Sequence, residues 1–267
     1  MHPILFEIPR IEFLNWVIGP IPIRLYGLMI GLGFILGVYL AARQAKKEGV
    51  NPDRVLDLGV YMLLMAIVGS RFLFVLTNLQ EFADKPLDAF AIWKGGLVFY
   101  GGVLAAVPVG IWYVKRHSLP VWKTADITAP SISLGHAFGR LGCFFAGCCY
   151  GAPCSTSIGI TFSDPHSLAP LGVPLYPTQL MESSGEFLIF GMLLLLRRSK
   201  TFDGQLFWLY GLFYAVLRFV IEFFRGDAVR GLYFGNVIST SQIIALGVFA
   251  LSGLMIWKLR TAVSKQA

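Results

Sequence analysis

Charged side chains are scarce in this 267-residue sequence: Asp, Glu, Lys and Arg make up 14% of it, whereas hydrophobic residues make up 56%. A water-soluble domain of this length needs more polar surface than that to cover its core. The scarcity of charge therefore excludes an ordinary soluble enzyme or binding domain. Because the apolar residues exceed what one core can bury, we predict an integral membrane protein.

Several recognisable motifs are also missing. The sequence has no glycine-rich nucleotide loop and no redox-cofactor motif, so we expect no cofactor. Residues Met1–Gly19 lack the basic start and the cleavage site of a secretory signal, and we expect them to be retained as an interfacial segment. The net charge of +7 comes from short basic clusters beside apolar runs, which indicates topology signals and no nucleic-acid partner.

Long apolar runs, by contrast, are plentiful. A membrane-spanning helix needs about 20 mostly apolar residues, and seven stretches meet or approach this length, the fourth being the most polar. We therefore predict an all-α integral membrane protein with about seven transmembrane helices, forming a single polytopic domain over residues 1–267. The predicted spans are Leu25–Ala42, Val55–Leu76, Leu97–Val114, Ile127–Cys149, Thr178–Leu196, Gln205–Phe224 and Gln242–Trp257.

Basic residues alternate along the chain between the two sets of flanks of these spans. Thirteen of the twenty-two lysines and arginines lie on one set, whereas the loop Gly151–Pro177 on the other set has none. The positive-inside rule assigns the basic set to the cytoplasm, which places the N-terminus outside and the C-terminus inside. Termini on opposite sides of the membrane require an odd number of spans. Seven spans meet this requirement only if the polar fourth stretch is one of them. The thirteen are Arg43, Lys46, Lys47, Arg54, Lys115, Arg116, Lys123, Arg197, Arg198, Lys200, Lys258, Arg260 and Lys265.

Three arginines, Arg71, Arg140 and Arg218, fall within the predicted spans. A charge inside the bilayer costs several kcal/mol unless it is paired or hydrated, so such a residue marks a functional site or an ion pair between helices. The predicted topology places all three between the middle of the membrane and its outer face. We expect them to bind an anionic ligand; for Arg71, pairing with Glu182 is the alternative.

Polar residues recur beside these arginines at helical spacing. Glu222 follows Arg218 by four residues and Tyr214 precedes it by four, so the three share a helix face and Glu222 is expected to neutralise Arg218. His136 and Arg140 share a face of the fourth span in the same way. We interpret His136 as an intramembrane hydrogen-bonding residue more than as a base. In the fifth span, Glu182 and Glu186 follow Gln179 at helical spacing and are candidate counter-ions for the arginines.

Glycines interrupt the beginning of the third span, which reads Gly95-Gly96-Leu97-Val98-Phe99-Tyr100-Gly101-Gly102. So many glycines predict an irregular start that presents Tyr100 at the outer face. Tyr26 opens the first span at the same level. Tyrosines are also common at membrane–water interfaces without any catalytic role.

Four cysteines, Cys143, Cys148, Cys149 and Cys154, fall within twelve residues. Their spacing matches no standard zinc or iron–sulfur pattern and no histidine flanks them at ligand spacing, so we expect no metal site. A disulfide between Cys149 and Cys154 near the oxidising outer face remains open. We interpret Cys143 and Cys148 as small apolar core residues.

Five motifs in this order resemble those of the bacterial prolipoprotein diacylglyceryl transferases, and the resemblance covers about Ile18–Trp257. The family transfers the diacylglyceryl group of phosphatidylglycerol to the lipobox cysteine thiol of a secreted prolipoprotein, forming a thioether and releasing glycerol phosphate. The resemblance implies an enzyme of the bacterial cytoplasmic (inner) membrane with its active site toward the outer leaflet. The motifs are Tyr26-Gly27-Leu28-Met29; Gly95-Gly96-Leu97 with Gly101-Gly102; Gly139-Arg140-Leu141-Gly142 with Gly147 and Gly151; Pro177-Thr178-Gln179-Leu180 with Glu182; and Tyr214, Arg218 and Glu222-Phe223-Phe224-Arg225.

The resemblance also implies roles for individual residues. Arg140 corresponds to the arginine that binds phosphatidylglycerol, and Arg218 to a second essential arginine. The expected catalytic residues are Arg140, Arg218, Tyr26, Tyr100 and Glu222; the expected substrate-binding residues are Arg140, Arg71, Tyr214, Gly142 and Gly101.

The chain departs from the family pattern at three positions. Tyr100 and Tyr176 stand where family members often carry histidine, and Cys143 stands where asparagine is frequent. A tyrosine is a weaker general base than a histidine at neutral pH, so the proton acceptor stays open, with Tyr100 and Glu222 as candidates. Two alternative functions are compatible with the same residues. One is a transporter or lipid-binding protein for an anionic lipid, and the other is a divergent paralogue that uses another acceptor.

Overall fold

The computed structural model describes residues 2–9, 11–13, 16–18, 21–83, 85–92, 95–226, 231–233 and 238–264. Within these ranges the chain forms seven α-helices, and each overlaps one predicted span. The predicted bounds of the fifth span match its helix at both ends. The helices are α1 (Leu25–Lys47), α2 (Pro52–Thr77), α3 (Phe99–Arg116), α4 (Val121–Ala146), α5 (Thr178–Leu196), α6 (Gln205–Ile221) and α7 (Thr240–Ser264).

Five of these helices are long and apolar enough to cross a membrane: α1, α2, α5, α6 and α7. Short 3-10 turns extend α5 through Arg197–Ser199 and α6 through Glu222–Phe224. Large apolar side chains lie exposed along these helices, including Phe72, Leu188 and Trp257. Such surfaces are stable only when lipid covers them. The structure is therefore that of a mostly helical, multi-pass membrane protein.

The chain divides into two compact units: Val38–Thr124, and Met1–Gly37 together with Ala125–Ala267. In the unit Val38–Thr124, α2 and α3 pack directly against each other. Gly69 and Gly101 allow this close approach, because a Cβ on either would collide with the backbone or side chains of the opposite helix. Asn51 caps α2 by accepting a hydrogen bond from the Asp53 N–H at 2.9 Å.

The segment before α3 is irregular, as the sequence predicted. Gly95 and Gly96 both have positive φ, at 86° and 71°, a conformation that strongly favours glycine. The chain is not helical until Phe99. Two 3-10 turns, Leu79–Phe82 and Pro86–Phe90, precede this segment.

The larger unit begins with short antiparallel strands where the sequence predicted an interfacial segment. β1 (Ile4–Ile8) pairs with β4 (Ile21–Arg24), and β2 (Ile11–Phe13) pairs with β3 (Trp16–Ile18). Two more pairs lie in the loops between helices. β5 (Ile160–Thr161) pairs with β6 (Pro174–Leu175) between α4 and α5, and β7 (Leu232–Tyr233) pairs with β8 (Ile238–Ser239) between α6 and α7.

Apolar packing and polar contacts hold α4, α5 and α6 of this unit together. Ile189, Leu193 and Leu206 form a buried apolar cluster with Ala129. The fully buried Asp126 of α4 accepts hydrogen bonds from the N–H groups of Gly204 and Phe207, at 2.8 and 3.0 Å, and so caps the start of α6. These contacts align the three helices that carry the polar cluster described next.

Candidate functional site

Two of the three predicted arginines meet at one buried carboxylate in the larger unit. Glu182 of α5, which is 2% exposed, lies between them. Its Oε1 is 3.0 Å from Nη2 of Arg140 on α4, and its Oε2 is 3.7 Å from Nη1 of Arg218 on α6. The sequence-based expectation that acids of the fifth span act as counter-ions is confirmed for Glu182.

Arg218 has two further partners. Its Nη2 lies 2.8 Å from Oε2 of Glu222, one helical turn on, which confirms the predicted pairing. The same Nη2 donates a hydrogen bond to Oγ of Ser241 at 2.9 Å. Sequence reasoning missed Ser241, since a serine at the start of α7 carries no distinguishing pattern. Nη1 of Arg218 is buried and, among the described residues, has no hydrogen-bond partner, with the Glu182 carboxylate 3.7 Å away.

His136 joins Arg140 to a second buried carboxylate. Nε of Arg140 donates to Nε2 of His136 at 3.3 Å, and Nδ1 of His136 lies 2.9 Å from Oε1 of Glu186. Nε2 of His136 also lies 3.7 Å from Oε1 of Glu182, so the imidazole sits between two buried carboxylates. Glu186 is fully buried and also accepts a hydrogen bond from Oγ of Ser133 at 2.7 Å. His136 is a hydrogen-bonding residue, as expected, and its imidazole is held in one orientation.

Three carboxylates, of Glu182, Glu186 and Glu222, surround two guanidinium groups, of Arg140 and Arg218. Acidic counter-ions therefore accompany both arginines. Arg140 and His136 form the open edge of this cluster, with side chains 16% and 24% exposed. A ligand that reaches the cluster therefore meets these two side chains first.

Tyr214 lies on the same edge. Its ring centroid is 5.3 Å from that of His136, and Tyr210 stacks on it at 6.1 Å. Aromatic rings at these distances restrict the imidazole and shield the cluster from water. The predicted site residue Tyr214 is thus beside the arginine pair.

Tyr26 and Gly142 contact each other at the junction of α1 and α4. A Cβ placed on Gly142 would lie 3.1 Å from Cδ2 and 3.2 Å from the carbonyl oxygen of Tyr26. A side chain at position 142 would therefore displace the start of α1. Tyr26 is partly exposed and lines a cavity of about 180 Å³, together with Arg24, Cys148 and His166.

Arg71, Tyr100 and Gly101 lie in the unit Val38–Thr124. The guanidinium group of Arg71 donates to four backbone carbonyls, and Phe74 and Phe82 lie 5.4 and 5.5 Å from it. Tyr100 is exposed, and Gly101 packs against α2. The contacts of Arg71 hold the segment before α3, and a role for it in binding a substrate stays a prediction. The four carbonyls belong to Asp88, Ala89, Gly95 and Gly96.

The four cysteines are all free thiols. Sγ of Cys154 lies 2.8 Å from Oγ1 of Thr156, and Cys154 forms no disulfide with Cys149. The sulfur atoms of Cys143, Cys148 and Cys149 lie within 4.8 Å of one another. Sequence spacing did not predict this grouping.

Comparison with known proteins covers nearly the whole chain. The family model for prolipoprotein diacylglyceryl transferase matches residues 14–258. A phosphatidylglycerol–prolipoprotein diacylglyceryl transferase of Clostridium tetani is 34% identical over 92% of this chain and 93% of its own length. Proteins of the same name from Oceanobacillus iheyensis and Bacillus mycoides are 35% and 33% identical, over 93% and 95% of this chain and 88% and 94% of their own lengths. The chain belongs to the prolipoprotein diacylglyceryl transferase family.

Proposed function

We propose that this chain transfers the diacylglyceryl group of phosphatidylglycerol to the lipobox cysteine of prolipoproteins. Relatives that bear this activity in their names match it over almost their full length. The observation within the site that carries the proposal is the pair of arginines held on Glu182. A guanidinium pair of this kind suits a phosphodiester head group.

The reaction exchanges one bond for another. The cysteine sulfur forms a bond to the glyceryl carbon while the bond from that carbon to the phosphate oxygen breaks. The electron pair leaves on glycerol phosphate, and the thiol proton passes to a base. An unperturbed thiol has a pKa of about 8.5, so catalysis needs both a proton acceptor and stabilisation of the charge that develops on phosphate.

Arg140 and Arg218 meet the second need. Arg140 lies at the open edge and contacts the phosphate first, while Nη1 of Arg218 offers a further donor from the buried side. Glu182 and Glu222 fix both guanidinium groups, so little reorganisation is required when charge develops. Tyr26 and Tyr214 position the lipid or the thiol, and Gly142 keeps Tyr26 close.

His136 is the proton acceptor in this proposal. Glu186 holds its ring, and Nε2 points toward Arg140 at the open edge. The carboxylates of Glu182 and Glu186, at 3.7 and 2.9 Å from the two ring nitrogens, would stabilise the positive charge that the imidazole gains with the thiol proton. Of the other candidates, Glu222 is already engaged by Arg218 at 2.8 Å. Tyr100 stays a candidate for the same role, and Arg71 and Gly101 stay candidates for binding the lipid.

We also propose the membrane arrangement that the basic residues indicate. Seven helices, including α3 and α4, span the bacterial inner membrane as one domain, with the N-terminus outside and the C-terminus in the cytoplasm. The polar cluster then faces the outer leaflet, where phosphatidylglycerol and the prolipoprotein signal peptide arrive. Membrane lipids surround the helices, and the chemistry requires no cofactor. Lys265, one of the cytoplasmic basic residues, lies outside the described part of the chain.

The test uses the purified chain in phosphatidylglycerol vesicles with a lipobox peptide. Mass spectrometry should detect the diacylglyceryl thioether, and Arg140→Ala should lower kcat by at least about 10²- to 10³-fold, the usual effect of losing one such donor. Arg116→Ala, at the end of α3, is the matched control and should remain active.

Three results would overturn the assignment. Full turnover by Arg140→Ala would remove the arginine from the mechanism. Binding of phosphatidylglycerol without thioether formation would favour a lipid-binding protein or transporter, and transfer to a different acceptor would favour the paralogue.

A further inference from the structure

Three thiols beside the arginine cluster have the geometry of a metal site. The sulfur atoms of Cys143, Cys148 and Cys149 lie within 4.8 Å of one another. A zinc–sulfur bond is about 2.3 Å long, so three sulfurs arranged trigonally around one ion are about 4 Å apart. Small side-chain rotations would therefore let a single ion contact all three.

The backbone around these thiols is held in place. Cys149 has a φ of 58°, in the left-handed region that a residue with a side chain rarely adopts. The N–H of Cys148 donates to the carbonyl of Cys143 at 3.1 Å. The carbonyls of Cys148 and Cys149 accept hydrogen bonds from the buried side chains of Gln179 and Thr178, at 2.8 and 2.9 Å. The first turn of α5 thus fixes a strained turn that brings the thiols together, and strain of this kind is typical of functional sites.

One of the three residues, Cys148, also lines a cavity. The cavity of about 180 Å³ that Tyr26 lines extends to Cys148, with Arg24 and His166 on its walls. A water molecule occupies about 30 Å³ of liquid, so the cavity admits a partly hydrated ion. A metal site needs such an access route as well as its ligands.

We propose that Cys143, Cys148 and Cys149 bind one thiophilic d10 cation, of the class of Zn²⁺ or Cu(I). Thiolate ligands select such ions over Mg²⁺ and Ca²⁺. Each thiol that coordinates the ion loses its proton. The proposal does not depend on the proposed function. It reverses our sequence-based expectation that the chain binds no metal, which rested on linear spacing and did not allow for the turn after α4.

The test measures metal binding by the full chain, reduced and freed of metal in detergent micelles. Separate titrations with Zn²⁺ and Cu(I), followed by dialysis and elemental analysis, should give one ion per chain for at least one metal. Cys143→Ser, Cys148→Ser and Cys149→Ser should each weaken that binding by more than roughly 100-fold, since loss of a mere outer-sphere partner already costs 10- to 100-fold. Cys154→Ser is the matched control, because Cys154 is outside the cluster, and it should bind normally.

A second measurement needs no variant, which guards against loss of folding in the serine substitutions. In the unsubstituted chain, the bound metal should protect Cys143, Cys148 and Cys149 from alkylation, as read by peptide mass spectrometry, and leave Cys154 unchanged. The proposal fails if neither metal binds stoichiometrically, if Cys154→Ser loses binding as the others do, or if the three thiols are alkylated equally with and without metal.

Discussion

Arg71 and Arg218 are both buried arginines on long apolar helices, yet their surroundings differ. Arg71, in the unit Val38–Thr124, donates to four backbone carbonyls. Arg218, in the larger unit, contacts two carboxylates and a serine, and among the described residues its Nη1 has no hydrogen-bond partner. A buried arginine is therefore not by itself the mark of a site. Carbonyls that take up four of its five N–H donors make it a structural residue, whereas carboxylates that orient it prepare it for an anion.

The largest expected effect that tests this contrast is on catalysis by Arg218. Arg218→Ala should reduce kcat by about 10²- to 10³-fold, because it removes a donor aimed at the departing phosphate. Arg218→Lys should recover only part of the activity, since the compact ammonium group lacks the planar fork that contacts a phosphate through two parallel N–H donors. Thioether formation in vesicles measures both. If Arg218→Ala changes only thermal stability, Arg218 is as structural as Arg71.

The next effect concerns the proton acceptor. His136→Ala should lower kcat by about 10²-fold, the lower end of what a general base contributes, and abolish the fall in kcat at low pH. Glu186→Gln should alter the same pH profile by a smaller amount, because Glu186 positions the imidazole without touching substrate. The measurement is kcat for thioether formation by each variant over a series of pH values, with KM for phosphatidylglycerol determined separately. A fully active His136→Ala together with an inactive Tyr100→Phe would transfer the role to Tyr100.

Substitution of Arg71 should affect stability more than catalysis. Arg71→Ala leaves four carbonyls without their charged donor, and a hydrogen bond to a charged group contributes about 1.5–3 kcal/mol. We expect a clearly lower midpoint of thermal unfolding in detergent, with KM for phosphatidylglycerol unchanged in the folded fraction. Arg116→Ala again serves as the control. A raised KM at unchanged stability would instead support the lipid-binding role that the sequence suggested.

The smallest effect is expected in the loop between α4 and α5, outside the spans. The backbone N–H of His166 and the side chain of His2 lower the pKa of the Asp164 carboxyl below its ordinary value. A lowered pKa in the folded state stabilises the protein above the ordinary range of aspartate, about 3.9, and this contribution is lost as the pH falls through the folded value. In Asp164→Asn, the midpoint of thermal unfolding should therefore fall slightly less steeply as the pH is lowered below about 3.9. The same pH dependence in the variant and the unsubstituted chain would show that the contacts of Asp164 contribute nothing in solution.

Much of the helical framework could be predicted from the sequence. The helix α5 has the predicted bounds, and the four-residue spacing of Arg218 and Glu222 correctly indicated an ion pair. Both features depend on local periodicity, which the order of residues contains directly. The glycines before α3 also signalled an irregular segment, because positive φ is a local property of the backbone.

The sequence by itself determined that this chain is a helical membrane protein, which family it belongs to, and that arginines with acidic neighbours lie within its apolar helices. Only the tertiary structure decided that Glu182 holds Arg140 and Arg218 together, that Ser241 joins them, and that Arg71 uses its donors on the backbone of a loop. It also decided that three cysteines separated by the end of α4 bring their sulfurs together. These contacts join residues on different helices or across turns, so they follow from how the chain packs, which local spacing does not specify.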